Sequence, residues 1–254
     1  MESAARVRTV NRERLEALLD ARKLGGALRP VWALGGTNVR VVSTGIPQLD
    51  QALGGGWRQG EISELVGGRS TGKTSVLLRS LTAATADGGV AAIVDAVDRL
   101  DPASLLSVGG GEAPSVGGGE APCSGVDRSR VLGVRGAAIT IEMARPALIE
   151  EVVSRAVRAF DLIIRAGGFS LVALDLSDVP SRYVRALPWA TWKRLAYANE
   201  GRPTVGLIVG QEPMGPSARG VSIALATVPV WTGTSDQSRR FAGFEHRTRC
   251  SAAC

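Results

Sequence analysis

The clearest chemistry in this sequence lies in eight consecutive residues, Gly67 to Thr74, which read Gly-Gly-Arg-Ser-Thr-Gly-Lys-Thr. They match the pattern GxxxxGK[ST] between an apolar run at 62–66 and a helical pattern that starts near Ser75. Glycines let backbone N–H groups surround phosphates, Lys73 neutralises the β and γ charges, and the Thr74 hydroxyl can ligate Mg²⁺. The segment predicts a nucleoside triphosphate site, and the alternative is a chance Gly-rich turn. The predicted phosphate-binding residues are Gly67, Gly68, Arg69, Ser70, Thr71, Gly72, Lys73, Thr74 and Ser75.

A second acidic group is expected beside such a loop, at the end of a neighbouring strand, where it holds the hydrated metal. The run Phe-Ser-Leu-Val-Ala-Leu-Asp at 169–175 supplies Asp175 as the candidate. We therefore predict that Thr74 and Asp175 hold Mg²⁺. The alternative is that Asp175 only caps the turn that follows it.

Short apolar runs and longer amphipathic runs alternate along the middle of the chain, as βαβ units require. Parallel strands need crossovers that bury both sheet faces, so we predict an α/β fold with a twisted, mostly parallel sheet flanked by helices. Strands are predicted at 62–66, 91–94, 131–134, 171–174 and 205–209, helices at 75–85, 147–166 and 188–198, and the last regular piece at 223–230. On the third helix, Trp189 and Trp192 either join the core or form a partner-facing patch.

The predicted domain division has three parts: an N-terminal helix and linker at 1–41, an ATP-binding core at 42–232, and a polar C-terminal tail at 233–254. Residues 11–23 show helical spacing of leucines, which suits either core packing or docking on another subunit. SVGGGEAP occurs twice in succession from Ser107 to Pro122, and we interpret residues 105–126 as a flexible insertion.

Composition narrows the class of protein only modestly. The formal net charge is +6, which is compatible with nucleic-acid binding, although scattered arginines also serve simply as solvated charge. We expect a cytoplasmic protein with no membrane partner, because no stretch of about 20 apolar residues and no apolar signal core is present. The three cysteines lack metal or CxxC spacing, so we interpret them as reduced thiols.

Several further segments resemble the RecA family of P-loop ATPases, in the same order from residue 42 to residue 211. They are Ser43-Thr44-Gly45-Ile46, Ala52-Leu53-Gly54-Gly55-Gly56, the P-loop, Ile93-Val94-Asp95-Ala96, Leu100-Asp101-Pro102, Leu174-Asp175 and Ile208-Val209-Gly210-Gln211. The resemblance implies a RecA-like core that uses ATP and Mg²⁺ in DNA repair and recombination. It also implies that Asp101 lies near the adenine and that Gln211 senses the γ-phosphate at the base of a DNA-contacting loop. The alternative for Gln211 is a water-exposed residue at a strand end.

Departures from the family pattern affect catalysis and DNA binding. Val97 stands where RecA has a glutamate that orients the attacking water, and valine can neither accept a proton nor bind water. Asp98 could replace that glutamate only through a local distortion, because successive strand residues face opposite sides. Ser104 replaces an aromatic that stacks on the base. The segments that correspond to DNA-binding loops are short, with Arg182 and Arg219 as weak DNA-contact candidates and Tyr183 offering the only stacking.

The chain thus looks like a compact RecA-like protein with eroded catalysis, such as ImuA. The resemblance implies an accessory role in the SOS response and DNA damage tolerance, with poor ATP hydrolysis and binding to single-stranded DNA, RecA, a translesion polymerase or its own copies. One alternative is an active DNA-dependent ATPase or recombinase that carries out homologous pairing. A P-loop kinase for a small molecule is a third reading, which fits the phosphate site but not the ordered run of segments.

Overall fold

The computed structural model describes residues 40–86, 88–101, 103, 127–213, 220–232 and 240–252, all within the compact unit Arg40–Cys254. The predicted N-terminal helix at 11–23, the repeat insertion, Ser104 and Arg219 lie outside these residues. In the described part of the chain, every helix is too short or too polar to cross a membrane.

Seven strands of the described chain form one central sheet. They are β3 (Ile62–Gly67), β4 (Ala91–Asp95), β5 (Val131–Arg135), β6 (Leu171–Asp175), β7 (Val205–Gly210), β8 (Val221–Thr232) and β9 (Arg240–Ala252). Their order is β5-β4-β6-β7-β3-β8-β9, and every neighbouring pair is parallel except β8 and β9. Two short strands, β1 (Val41–Val42) and β2 (Trp57–Arg58), form a separate antiparallel pair.

Helices cover both faces of the sheet. They are α1 (Pro47–Leu53), α2 (Lys73–Ala86), α3 (Pro146–Ala166), α4 (Ser181–Arg185) and α5 (Trp189–Asn199), with a 3-10 turn at Arg128–Arg130. Side chains alternate between the two faces of a strand, so Val172 and Leu174 of β6 pack with α3, α4 and α5, while Leu171 and Ala173 pack with α1 and α2. Because both faces are buried, the central strands are mostly apolar, although β3 also carries the buried polar residues Ser63 and Glu64.

The predicted fold class is confirmed, since a mostly parallel sheet lies between two layers of helices. The predicted strands and helices correspond to β3 to β8 and to α2, α3 and α5, with ends that differ by a few residues. Pro188 precedes α5 as its N-cap, so this helix begins one residue later than predicted. Trp192 packs against the core, whereas Trp189 is about half exposed.

The prediction that the regular structure ends near residue 230 is wrong. β9 pairs antiparallel with β8 from Arg240 to Ala252. This strand lies at the edge of the sheet, and its residues Arg247, Arg249 and Cys250 are exposed. An edge strand can form through backbone hydrogen bonds without an apolar face, so its polar sequence gave no strand signal. The division of the chain into domains stays a prediction.

Candidate nucleotide site

The carboxyl ends of four neighbouring strands bring the candidate residues together. In the parallel register, Asp95 of β4 lies opposite Asp175 of β6, and Asp175 lies opposite Val209 of β7. β3, which leads into the P-loop, pairs with β7 through Gly210. In open α/β sheets, ligands bind at this edge, beyond the carboxyl ends of the strands. The fold therefore places Asp175 beside the loop that the motif predicted to bind phosphate.

The P-loop is a short turn between β3 and α2. The Thr71 hydroxyl donates a hydrogen bond to the Gly68 carbonyl at 2.9 Å, and the Val76 N–H donates to the Gly72 carbonyl at 3.0 Å. Ser70 and Gly72 both have positive φ, of 59° and 89°. This left-handed backbone bends the chain into the first turn of α2, whose unpaired N–H groups provide a favourable site for anions.

The two glycines that open the loop are there for different reasons. A Cβ at Gly67 would lie 2.5 Å from the Leu225 carbonyl oxygen of β8 and 2.7 Å from the Thr71 hydroxyl. A Cβ at Gly68 would meet no atom within 4 Å. Gly67 is therefore required by the close approach of β8, whereas Gly68 leaves open space at the mouth of the loop.

Lys73, the first residue of α2, is buried, with 7% of its surface exposed. Its amino group donates a hydrogen bond to the Gly67 carbonyl, at the start of the same loop. Burial lowers the pKa of Lys73, and the nearby carboxylates of Asp175 and Asp178 act in the opposite direction. The site thus holds a buried lysine near two acidic groups, Asp175 at the end of β6 and Asp178 on the segment after it.

Asp175 ends β6 at the centre of this edge. Burial raises the pKa of Asp175, the hydrogen bonds from Ser177 oppose that shift, and the charges of Asp95 and Asp178 add to it. The Ser177 N–H donates to the Asp175 Oδ1 at 2.9 Å. One carboxylate oxygen therefore caps the following turn, as the alternative interpretation expects, and the carboxylate retains a second oxygen. Its role in metal binding stays a prediction.

Asp95 is a site residue that the sequence reasoning missed. Its two carboxylate oxygens accept hydrogen bonds from the Val97 N–H at 3.3 Å and from the Leu100 N–H at 2.7 Å. These bonds fix the turn after β4, and Asp95 itself is almost fully buried. An aspartate at the end of an apolar strand was the signal that could have identified it.

The turn after β4 determines where the Val97 and Asp98 side chains lie. The Val97 side chain is 2% exposed and belongs to the apolar core formed by α3 and the sheet. Asp98 has a φ of 56°, so the local distortion is present. However, its carboxylate accepts two hydrogen bonds from Arg135, from Nε at 2.7 Å and from Nη2 at 2.8 Å. That hydrogen bonding lowers the pKa of Asp98, so the group is a weak base tied to β5.

A cavity of about 500 Å³ opens beside the P-loop. Its polar lining includes Arg69 of the loop, Asp178 and Arg182 of the segment after β6, and Gln211 at the end of β7. The Gln211 side-chain amide donates to the Ser177 carbonyl at 3.2 Å. Gln211 is partly buried and lines the same cavity as Gly68 and Arg69. Its response to a γ-phosphate stays a prediction.

The structure changes the interpretation of Tyr183. Its ring is 7% exposed and packs in the core under α3. The Arg182 guanidinium lies over this ring at 4.8 Å from the centroid and donates to the hydroxyl at 3.2 Å. The expectation that Tyr183 offers a stacking surface to bases is therefore wrong, because the ring is already covered. Arg182 keeps its place in the cavity lining, and its contact with DNA stays a prediction.

Asp101 is exposed and directly follows Leu100, whose N–H donates to Asp95. The Asp101 carboxylate accepts a hydrogen bond from the Ala103 N–H at 2.9 Å. This contact stabilises the turn locally. The expected contact with adenine stays a prediction.

Comparisons with known proteins match the part of the chain that contains the P-loop. Residues 23–110 match the RecA N-terminal domain. Protein RecA of Prochlorococcus marinus (strain AS9601) is 45% identical over 71 residues, which cover 28% of this chain and 20% of that protein. Protein RecA of Streptococcus pneumoniae (strain Hungary19A-6) is 40% identical over 104 residues, which cover 38% of this chain and 27% of that protein. The matched region thus spans about a fifth to a quarter of the relatives' length, and together these matches support a RecA-like family.

Proposed function

We propose that this chain binds ATP with Mg²⁺ at the Gly67–Thr74 loop and acts as a slowly hydrolysing, RecA-like accessory protein in DNA repair. The observation that carries the proposal is the contrast between a complete GxxxxGK[ST] motif and the turn after β4, where the position expected to hold an acid is apolar. Val97 packs into the core, and Asp98 is bound by Arg135.

The residues of the loop fit a nucleoside triphosphate. Gly67 permits the close approach of β8, the first turn of α2 offers N–H groups to phosphate, and Lys73 supplies a buried positive charge. In the described part of the chain, no three His, Cys, Asp or Glu side chains converge as a metal cage. Mg²⁺ would instead be shared between Thr74, Asp175 and phosphate oxygens, as is usual for this ion. The bound ion would neutralise charge on the phosphates.

Slow hydrolysis follows from the turn after β4. Attack on the γ-phosphate needs a group that orients water within hydrogen-bond reach. A valine side chain in an apolar core provides no such group. Asp98, its neighbour, has a lowered pKa because it is hydrogen bonded to Arg135.

The RecA-like relationship suggests a role in DNA repair or recombination. The more specific proposal is an ImuA-like accessory role in SOS damage tolerance, through contacts with single-stranded DNA, RecA, a translesion polymerase or its own copies. A formal net charge of +6 supports contact with nucleic acid. Tyr183 is buried, which favours weak DNA binding over the aromatic stacking typical of strong single-strand binders.

An active DNA-dependent ATPase or recombinase is the second candidate. Asp178 favours it, because this carboxylate lines the cavity together with Gln211 and could replace the missing glutamate. Homologous pairing of DNA strands by the purified protein, with DNA-stimulated ATP turnover, would decide for this candidate.

The test measures ATP binding with a fluorescent analogue. It also measures ATP hydrolysis with and without single-stranded DNA. Lys73→Ala removes the buried cation and should weaken ATP binding by roughly 10-fold or more, since charged hydrogen bonds contribute about 1.5–3 kcal/mol. Arg155→Ala is the matched control, because Arg155 is a 76% exposed side chain on α3 that pairs with Glu151. We expect Mg²⁺-dependent binding by the unaltered chain and by Arg155→Ala, with slow hydrolysis that DNA does not accelerate. Fast DNA-stimulated hydrolysis would contradict the accessory role, and a lack of ATP binding would contradict the whole proposal.

A further inference from the structure

The P-loop carries a cation that its motif does not require. Arg69 is the third residue of the loop, at a position where the pattern accepts any residue. Its guanidinium lies 3.8 Å from the Asp178 carboxylate, with the side chains 81% and 37% exposed. An ion pair that is long and exposed to this degree contributes little to stability, so it can be exchanged for a better partner.

Both members of this pair lie beside the predicted phosphate site. Arg69 and Asp178 line the cavity beside the loop, together with Gly68 and Gln211. Asp178 therefore places a negative charge beside the loop. A negative charge there opposes the approach of an anion, and Arg69 offsets it.

We propose that Arg69 is a γ-phosphate-sensing residue that exchanges Asp178 for the terminal phosphate of a bound nucleotide. The inference rests on the proposed ATP site. A guanidinium presents a planar fork of donors that matches phosphate oxygens, and a terminal phosphate carries more charge than a carboxylate. A diphosphate ends one group earlier, so it leaves Arg69 on Asp178. Arg69 thereby makes the site selective for triphosphate over diphosphate.

The exchange also connects the nucleotide to the segment after β6. Asp178 lies between Asp175 and α4, which carries Arg182 into the same cavity. Two further contacts join this region to the residues after β7: the Gln211 amide donates to the Ser177 carbonyl, and Arg185 pairs with Glu212. The Arg69–Asp178 pair is a direct side-chain link between this segment and the P-loop. Triphosphate binding would release that link while the contacts to β7 persist.

The test measures dissociation constants for a non-hydrolysable ATP analogue and for ADP, both with Mg²⁺, by titration calorimetry. Arg69→Ala should weaken binding of the analogue by roughly 10-fold and of ADP by less than about 2-fold, as expected for loss of a charged hydrogen bond to one phosphate. Arg69→Lys, which keeps the charge but loses the fork, should fall between Arg69→Ala and the unaltered chain. Asp178→Asn frees Arg69 and removes the opposing charge, so binding of the analogue should become several-fold tighter. Arg155→Ala on α3 serves as the exposed control and should change neither constant.

The opposite signs of the two substitutions distinguish sensing from a structural ion pair. A pair that only stabilises the loop would make Arg69→Ala and Asp178→Asn weaken both nucleotides in parallel with a lower melting temperature. That result, or an unchanged ratio of analogue to ADP affinity in Arg69→Ala, overturns the inference while leaving ATP binding intact. If the unaltered chain binds neither nucleotide, the proposed function and the inference both fail.

Discussion

Val97→Glu returns an acid to the position at which the RecA-like resemblance expects one, and the structure indicates that this acid would not reach the phosphate. Val97 is 2% exposed and belongs to the apolar core on the α3 face of the sheet. The carboxyl of the variant would therefore lie among aliphatic side chains such as Ile149 and Val153, which belong to the same core. We expect loss of stability without gain of hydrolysis.

The magnitude follows from burial of an ionisable group. A glutamate has an ordinary pKa of about 4.3, and burial in an apolar site raises it by roughly 3 units. Each unit corresponds to about 1.36 kcal/mol, so the charged side chain lowers the free energy of unfolding by about 4 kcal/mol. Because the folded-state pKa is raised, this loss is absent below the unfolded-state pKa and grows as pH rises towards the folded-state pKa. The lost valine packing adds about 1–2 kcal/mol at every pH.

Urea unfolding at pH 5 and pH 8 measures both contributions. Val97→Gln is the matched control, since it loses the same packing without an ionisable carboxyl, and its loss of stability should be nearly independent of pH. Val97→Glu should be more destabilised at pH 8 than at pH 5. ATP hydrolysis is measured on the same samples. A Val97→Glu protein with unchanged stability at both pH values and faster ATP turnover would refute the reasoning, because its carboxylate would then have to face the phosphate site.

Two further predictions concern the loop and the metal candidate. Gly67→Ala should lower the free energy of unfolding by about 1–3 kcal/mol, because its Cβ would lie 2.5 Å from the Leu225 carbonyl oxygen. Gly68→Ala should change the free energy of unfolding by less than about 0.5 kcal/mol, since its Cβ would meet no atom within 4 Å. Equal effects of the two substitutions in urea unfolding would contradict the close approach of β8. Asp175→Asn should raise the melting temperature at pH 7 without nucleotide, because burial raises the pKa of this carboxyl and its charged form destabilises the fold. This gain in melting temperature should disappear as pH falls below the ordinary pKa of aspartate. A lower melting temperature of Asp175→Asn at pH 7 would contradict the expected gain. The same variant should also lose the Mg²⁺ dependence of ATP binding.

Local sequence determined the elements that carry the site. The apolar run before Gly67 and the helical pattern after Thr74 predicted β3 and α2, and the run that ends at Asp175 predicted β6. These signals are short-range, because backbone conformation and the period of apolar residues depend on neighbours in the chain. The parallel topology followed as well, since alternating strands and helices allow few other arrangements.

The local sequence pattern did not predict the edge strand β9 or the short helix α4. β9 is polar and pairs through its backbone with β8, and α4 is a five-residue helix in a segment expected to be a loop. Neither leaves a periodic apolar pattern. Hydrogen bonding at a sheet edge does not depend on side-chain type, so sequence alone gave no reason to place residues 240–252 in the sheet.

The sequence by itself determined that a phosphate-binding loop precedes a helix, with a carboxylate at the end of a later strand. Only the tertiary structure decided what the neighbouring side chains face. The Val97 side chain packs in the core, and the Asp98 carboxylate after β4 accepts a hydrogen bond from Arg135 of the neighbouring strand β5. Arg69 of the P-loop forms an ion pair with Asp178. These contacts join residues far apart in the chain, and the order and register of the parallel strands set them. A motif specifies its own backbone, but the groups that surround it are chosen by the packing of the whole sheet.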